Sequence, residues 1–259
     1  MANPLTMKLE QFTRFSSAER RWLDELLHYP SESYARGDTI IGDGEKVGEI
    51  YLVLTGLAAR SKTLAGGNRQ MMAFLVPGDL CDIEVFVLQA MDHDIIALAD
   101  TTCLLIPARA MEDLLTQSSN ITRAMWWSTM TDSAVLREWI VGHGSRDARE
   151  RIAHLFFELL IRYRVVGEGA GDTIPFPLTQ GELADATGIT PVHVNRILGQ
   201  LRSEGLVQIG SKTLTVLDVE RLREAARYDT SYLHLTRTEQ GDPEVSGRVG
   251  DLIDATATG

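Results

Sequence analysis

The residue types best suited to chemistry gather in residues 179–201. Arg196 offers two parallel N–H donors, which match O6 and N7 of a guanine in the major groove of DNA. His193 and Asn195 stand beside it and can meet a base edge or a phosphate. Val192 shares that side and offers neither donor nor acceptor. Thr179, Gln180 and Thr190 fall at the expected starts of two helices, where backbone N–H groups suit a phosphate, and Pro191, which has no N–H, stands beside them on the DNA-facing side. Lys212, further along, suits a phosphate contact of its own. Catalytic chemistry finds no comparable support. Paired carboxylates, a phosphate-cradling glycine loop, Gly-x-Ser-x-Gly and His-Glu-x-x-His are all missing from the sequence. Arg109, Glu112 and Asp113 read as solvated helix charges. The chain is therefore not expected to be an enzyme. The two cysteines, Cys81 and Cys103, are too few for a disulfide framework or a four-cysteine metal site. They read as buried core thiols, and no metal or cofactor is expected.

The elements that must position these residues are legible. Thr179 and Glu182 have the spacing of a capping box. Leu183 and Ala184 then face inward, and Gly188 supplies a tight turn that needs φ > 0. Ile189 plugs the space below the turn. Thr190 caps a second helix with Pro191 at its first position, where a missing N–H costs nothing. Val194, Ile197, Leu198 and Leu201 form its buried stripe. Val192, His193, Asn195, Arg196 and Gln200 remain on the solvent side. This is the layout of a helix-turn-helix whose second helix enters the major groove. Residues 206–209 and 214–217 follow as two short strands around Gly210, Ser211 and Lys212, which makes a β-hairpin wing.

Upstream, Ser16 and Glu19 predict a capped helix that buries Trp22, Leu23, Leu26 and Leu27. Residues 33–107 alternate short apolar runs with glycine-containing turns, the texture of a compact antiparallel β domain. A long helix is expected over 120–141. It is apolar on more than one side, so one side should pack on its own domain and another on a second copy. Ile121, Met125, Met130, Val135 and Trp139 are the expected dimer contacts. Gly142, His143 and Gly144 suit a hinge, with Ser145 capping a helix over 146–164. Residues 165–177 read as a loop, and the acidic segment from Tyr228 as a flexible tail. The expected class is α+β: an N-terminal β jelly roll, a long dimerisation helix and a C-terminal winged helix-turn-helix. The boundaries fall at 12–118, 119–143, 144–227 and 228–259.

The net charge of −11 argues weakly against nucleic-acid binding over the whole surface. A small reading face remains compatible with it, and Arg137, Arg146, Arg149, Arg151, Arg162 and Arg164 cluster mid-chain. No apolar run nears the ~20 residues of a membrane span. The first residues lack the pattern of a secretory signal. A cytoplasmic protein without a membrane partner is expected.

Residues 178–198, with Arg137-Glu-Trp-Ile and 146–155, resemble the DNA-binding region of Crp/Fnr transcription regulators. The resemblance extends to about Ala226 and is looser in the β half. There Gly37-Asp38, residues 51–56 and residues 69–79 look like the family's β-roll turns. It implies a sensor domain like those that bind cyclic nucleotides, a homodimer on a two-fold symmetric site in double-stranded DNA, and RNA polymerase as a partner. Arg196 matches the family's base-reading arginine. Val192 stands where the family often has glutamate, and it cannot accept from a cytosine amino group. The positions that hold a cyclic nucleotide align with Asp82, Ile83, His93 and Asp94. Ile83 cannot accept from a ribose hydroxyl, and Asp94 sets a negative charge against the phosphate. Tight binding of cyclic AMP or cyclic GMP is therefore not expected. Another small effector, near Met71, Met72 and those four residues, and a plain dimerisation platform both remain open. A protein-interaction module without sequence-specific DNA binding is the competing class, favoured somewhat by the acidic charge.

Overall fold

The computed structural model describes residues 3–83 and 90–233. Phe86 and the part of the expected tail after Leu233 lie outside the described residues. The chain divides into two compact units, Met1–Ser133 and Ala134–Gly259.

The first unit opens on a short helix that the sequence reading did not anticipate. Asn3 caps α1 (Pro4–Leu9), accepting from the Leu5 and Thr6 N–H groups, and Leu5 and Leu9 are buried. In α2 (Ser17–Glu25) both bonds of the expected capping box are present. Leu23 and Leu26 are buried as expected, whereas Trp22 and Leu27 are only half-buried.

Seven strands follow among the described residues: β1 (Ser31–Tyr34), β2 (Thr39–Ile41), β3 (Glu49–Thr55), β4 (Ala58–Thr63), β5 (Arg69–Leu75), β6 (Asp94–Ala97) and β7 (Thr101–Pro107). They form two antiparallel sheets, ordered β1-β7-β3 and β2-β6-β4-β5. Ile41, Val53, Leu75, Ile95 and both cysteines share one buried cluster. The β3–β4 connection turns at Gly56, φ 91°, where a Cβ would come within 2.5 Å of the Asp100 carbonyl oxygen. Only glycine tolerates both the dihedral and the approach. After β7 come α3 (Ala108–Gln117) and the long α4 (Ser119–Ser145), inside which the division between units falls.

A partly buried ion cluster ties this unit together. The Lys8 ammonium lies 2.8 Å from an Asp79 carboxylate oxygen and 3.7 Å from one of Asp132. Arg60, on β4, donates to the Leu80 and Cys81 carbonyl oxygens and reaches the Asp132 carboxylate on α4.

Two expectations about the region after α4 are corrected. Residues 142–144 form no break; α4 runs through them to Ser145. The next helix, α5 (Ala148–Val165), is capped by Asp147 with Glu150 in a full capping box, not by Ser145. A carboxylate at the N-cap also meets the positive end of the helix dipole. The second unit continues with β8 (Thr173–Pro175), α6 (Gln180–Thr187), α7 (Pro191–Ser203), β9 (Val207–Ile209), β10 (Thr213–Val216) and α8 (Val219–Ala225). Its sheet has the order β8-β10-β9. The expected loop over 165–177 thus contains a strand. At the start of the segment expected as a tail, Tyr228 and Leu233 are buried, and residues Thr230–Leu233 form a 3-10 turn.

Candidate nucleic-acid interface

The reading head assembles as its residues require. Thr179 Oγ1 accepts from the Glu182 N–H at 3.2 Å, and Glu182 Oε2 accepts from the Thr179 N–H at 2.7 Å. That fixes the start of α6. Gly188 ends it at φ 66°, its N–H donating to the Ala184 carbonyl at 2.8 Å. Thr190 Oγ1 accepts from the His193 N–H, which starts α7 with Pro191 at its first position. Val194, Ile197, Leu198 and Leu201 are buried, so the opposite side of α7 is fixed outward. Val192, Asn195, Arg196 and Gln200 are exposed there, and His193 is half-buried.

Arg196 is not loose on this face. Its Nη2 lies 2.8 Å from His193 Nε2. A guanidinium only donates, so His193 accepts through Nε2 and carries its proton on Nδ1. The pair holds the fork of Arg196 beside Val192, one helical turn along α7. Thr179 and Thr190 use their hydroxyls as caps. Thr179 also donates to Glu182 Oε2 at 2.9 Å, so its side chain is already committed. Gln180 is exposed at the first turn of α6. In the wing, Lys212 is exposed at the β9–β10 turn with φ 62°, and its carbonyl accepts from the Phe176 N–H at 2.8 Å.

The arginine cluster has a different role from the one its position suggests. Arg146 pairs with Glu138, Arg149 with Glu204, Arg162 with Glu158 and Arg164 with Asp172. Arg151 donates to the Thr187 carbonyl at 2.9 Å. These cations hold the second unit together more than they build an open basic surface. Within it, Glu158 is fully buried and accepts from Trp139 Nε1 at 3.1 Å, the Tyr232 hydroxyl at 3.1 Å and Arg162 at 3.2 Å. Burial pushes its carboxyl up against the pull of Arg162. Nothing in the local sequence marks Glu158 as such a hub.

Of the expected dimer contacts, Ile121, Met125 and Val135 are buried within the chain, and Trp139 is turned to Glu158. Met130 is exposed, and it lies on a stripe with Trp126, Ser133, Arg137, Ile140 and Gly144, all exposed. Their spacing of four and three residues in alternation is that of a coiled-coil seam.

In the β domain, Met71 and Asp82 are buried, while Met72, Ile83, His93 and Asp94 are half-buried. Asp94 accepts from the Asp43 N–H at 2.9 Å. His93 Nδ1 lies 2.6 Å from Asp92 Oδ1, and that bond holds the Asp92 carboxyl below its ordinary range. Asp43, Asp92 and Asp94 thus gather at one end of β6, offset by the Lys62 ammonium 2.7 Å from Asp43. The buried Ser61 hydroxyl, opposite Met71 and Asp94 in register, lacks a hydrogen-bond partner among the described residues, a feature invisible in sequence.

The Crp-like helix-turn-helix domain description matches residues 150–225, and the cyclic nucleotide-binding domain description matches residues 31–118. The chain belongs to the Crp/Fnr family of DNA-binding transcription regulators. Among Crp/Fnr relatives, the transcriptional activator protein FnrL of Cereibacter sphaeroides is 29% identical over 221 residues, 84% of this chain and 88% of that protein. The nitrogen fixation regulation protein FixK of Bradyrhizobium diazoefficiens is 27% identical over 194 residues, 74% of this chain and 80% of FixK. The solved structure of FixK2 from Bradyrhizobium japonicum shares the fold, with a TM-score of 0.67 at 23% identity, over 77% of this chain and 98% of that one. The mixed architecture of β domain, long helix and winged helix-turn-helix is thus the Crp/Fnr fold.

Proposed function

We propose that this Crp/Fnr chain regulates transcription as a homodimer on a palindromic operator, with α7 in the major groove of double-stranded DNA. The observation that carries the reading is Arg196, exposed on the outward side of a doubly capped helix-turn-helix and oriented by His193. Asn195 and Gln200 share that side, while Thr179, Gln180, Thr190, Pro191 and Lys212 border it. Dimerisation rests on the exposed stripe of α4, and half-sites then lie about one helical turn apart. RNA polymerase is the partner implied by the family, and the cytoplasm is the setting. Among the described residues no helix is long and apolar enough to cross a membrane.

The same reading excludes cyclic AMP and cyclic GMP as tight effectors. Asp94 and its carboxylate neighbours stand where a cyclic phosphate would need a cation. At about 4 Å and an effective dielectric near 20, one such repulsion is on the order of 4 kcal/mol. An effector for this domain would be another small molecule, with Met71, Met72, Asp82 and Ile83 around it.

Selection from random duplexes tests the proposal. The wild type should enrich a palindrome, with binding that weakens steeply with salt as counterions are released. Arg196→Ala should cost about 1–3 kcal/mol per half-site on that palindrome and leave binding to unrelated DNA nearly unchanged. Failure to enrich any sequence, with little salt dependence, would support the interaction-module reading instead.

A further inference from the structure

At 81% exposure, Val192 exceeds every other outward-standing large apolar side chain among the described residues, the next being Ile140 at 70%. An isolated exposed valine usually needs no explanation. This one sits at the second position of α7, in the turn from which such a helix reads bases. It is four residues from Arg196 and on the same side, and the stripe that packs α7 onto its own domain lies opposite. His193, the polar neighbour, is engaged with Arg196. Whatever base edge lies under this turn therefore meets an isopropyl group.

An isopropyl group neither donates nor accepts, and the major groove presents one apolar group, the 5-methyl of thymine. Four residues advance a helix by ~6 Å, and base pairs follow every ~3.4 Å. We propose that Val192 is a specificity residue that selects thymine through its methyl group, one or two base pairs from the guanine read by Arg196. The inference rests on α7 being the DNA-reading helix, and it adds a second base to the half-site.

The test replaces that thymine with deoxyuridine, which removes the methyl and changes nothing else on the base edge. Wild-type binding to the selected palindrome should weaken about fourfold with one half-site changed and about 15-fold with both, from the loss of one buried methyl each. Val192→Ser should bind the thymine and uracil duplexes equally. Its fold is not at stake, because the side chain is exposed, and circular dichroism checks this. Equal wild-type affinity for the two duplexes, or selection of another base at that position, overturns the inference. If Arg196→Ala still erases the guanine preference, the regulatory reading stands without it. If no sequence is selected at all, both fall.

Discussion

His154 makes the second unit acid-sensitive in a way that can be worked through. It is buried on α5, its ring 4.7 Å from that of Tyr228 and 5.8 Å from that of Tyr232. Nε2 has no hydrogen-bond partner among the described residues and lies 3.7 Å from a Glu138 oxygen already paired with Arg146. Burial, and then the Arg146 charge, pull the imidazole from its ordinary 6.5 down to about 3. The folded protein therefore binds this proton more weakly than the unfolded chain does. The associated stability is fully present above pH 6.5 and is lost as pH falls toward 3. At ~1.4 kcal/mol per unit the whole window is worth up to about 5 kcal/mol, and the part between pH 6.5 and 4.5 about 2–3 kcal/mol. Glu158 acts with the opposite sign: a raised carboxyl contributes stability that is present at low pH and lost as pH rises through its folded value. His154→Phe keeps a ring against the two tyrosines and removes the titration, while Glu158 stays common to both proteins. Urea unfolding followed by tryptophan fluorescence, from pH 7.5 to 4.5, should show the wild type losing about 2–3 kcal/mol more than the variant. Parallel curves for the two proteins would refute the reasoning, since they would mean that the imidazole accepts its proton as readily folded as unfolded.

Two further outcomes separate the roles of neighbouring residues. Ile140→Asp puts a charge into the exposed seam of α4 and should weaken dimerisation by about 3–6 kcal/mol, counting one isoleucine from each copy, as sedimentation equilibrium would show. Ile121→Ala, on the buried side, should instead lower unfolding stability by about 2–5 kcal/mol and leave the monomer–dimer constant unchanged. Gly188→Ala forces a Cβ onto φ 66° and to within 3.3 Å of the His143 ring, so thermal unfolding should report a loss of about 1–2 kcal/mol.

The parts legible in the sequence were those whose cause is local. Ser16 with Glu19, Thr179 with Glu182, Gly188, and Thr190 before Pro191 all satisfy their own backbone neighbours, so spacing alone places them. The readings that failed depend on distant partners. The strand Thr173–Pro175 sits in a glycine- and proline-rich stretch and exists because β10 pairs with it. Gly142 and Gly144 look like a break, yet a penalty of ~1 kcal/mol per glycine does not stop a packed helix. Between Ser145 and Asp147 the decisive fact is Glu150, three residues after the aspartate, which closes the capping box. For α4, the apolar period showed two faces but not which one its own chain covers, and Ile121, Met125 and Val135 are buried within the chain. Tyr228 and Tyr232 looked like tail because the buried carboxylate they serve, Glu158, lies 70 or more positions away in sequence.

The wing shows what the chain gives up for its reading head. Ten described glycines take positive φ; only Lys212 and Arg227 do so with a side chain. A left-handed residue with a Cβ costs about 1–2 kcal/mol, and glycine at the wing tip would relieve it. The proposed phosphate contact needs a cation at the hairpin tip, which glycine could not supply, so Lys212→Gly should stabilise the fold while weakening DNA binding.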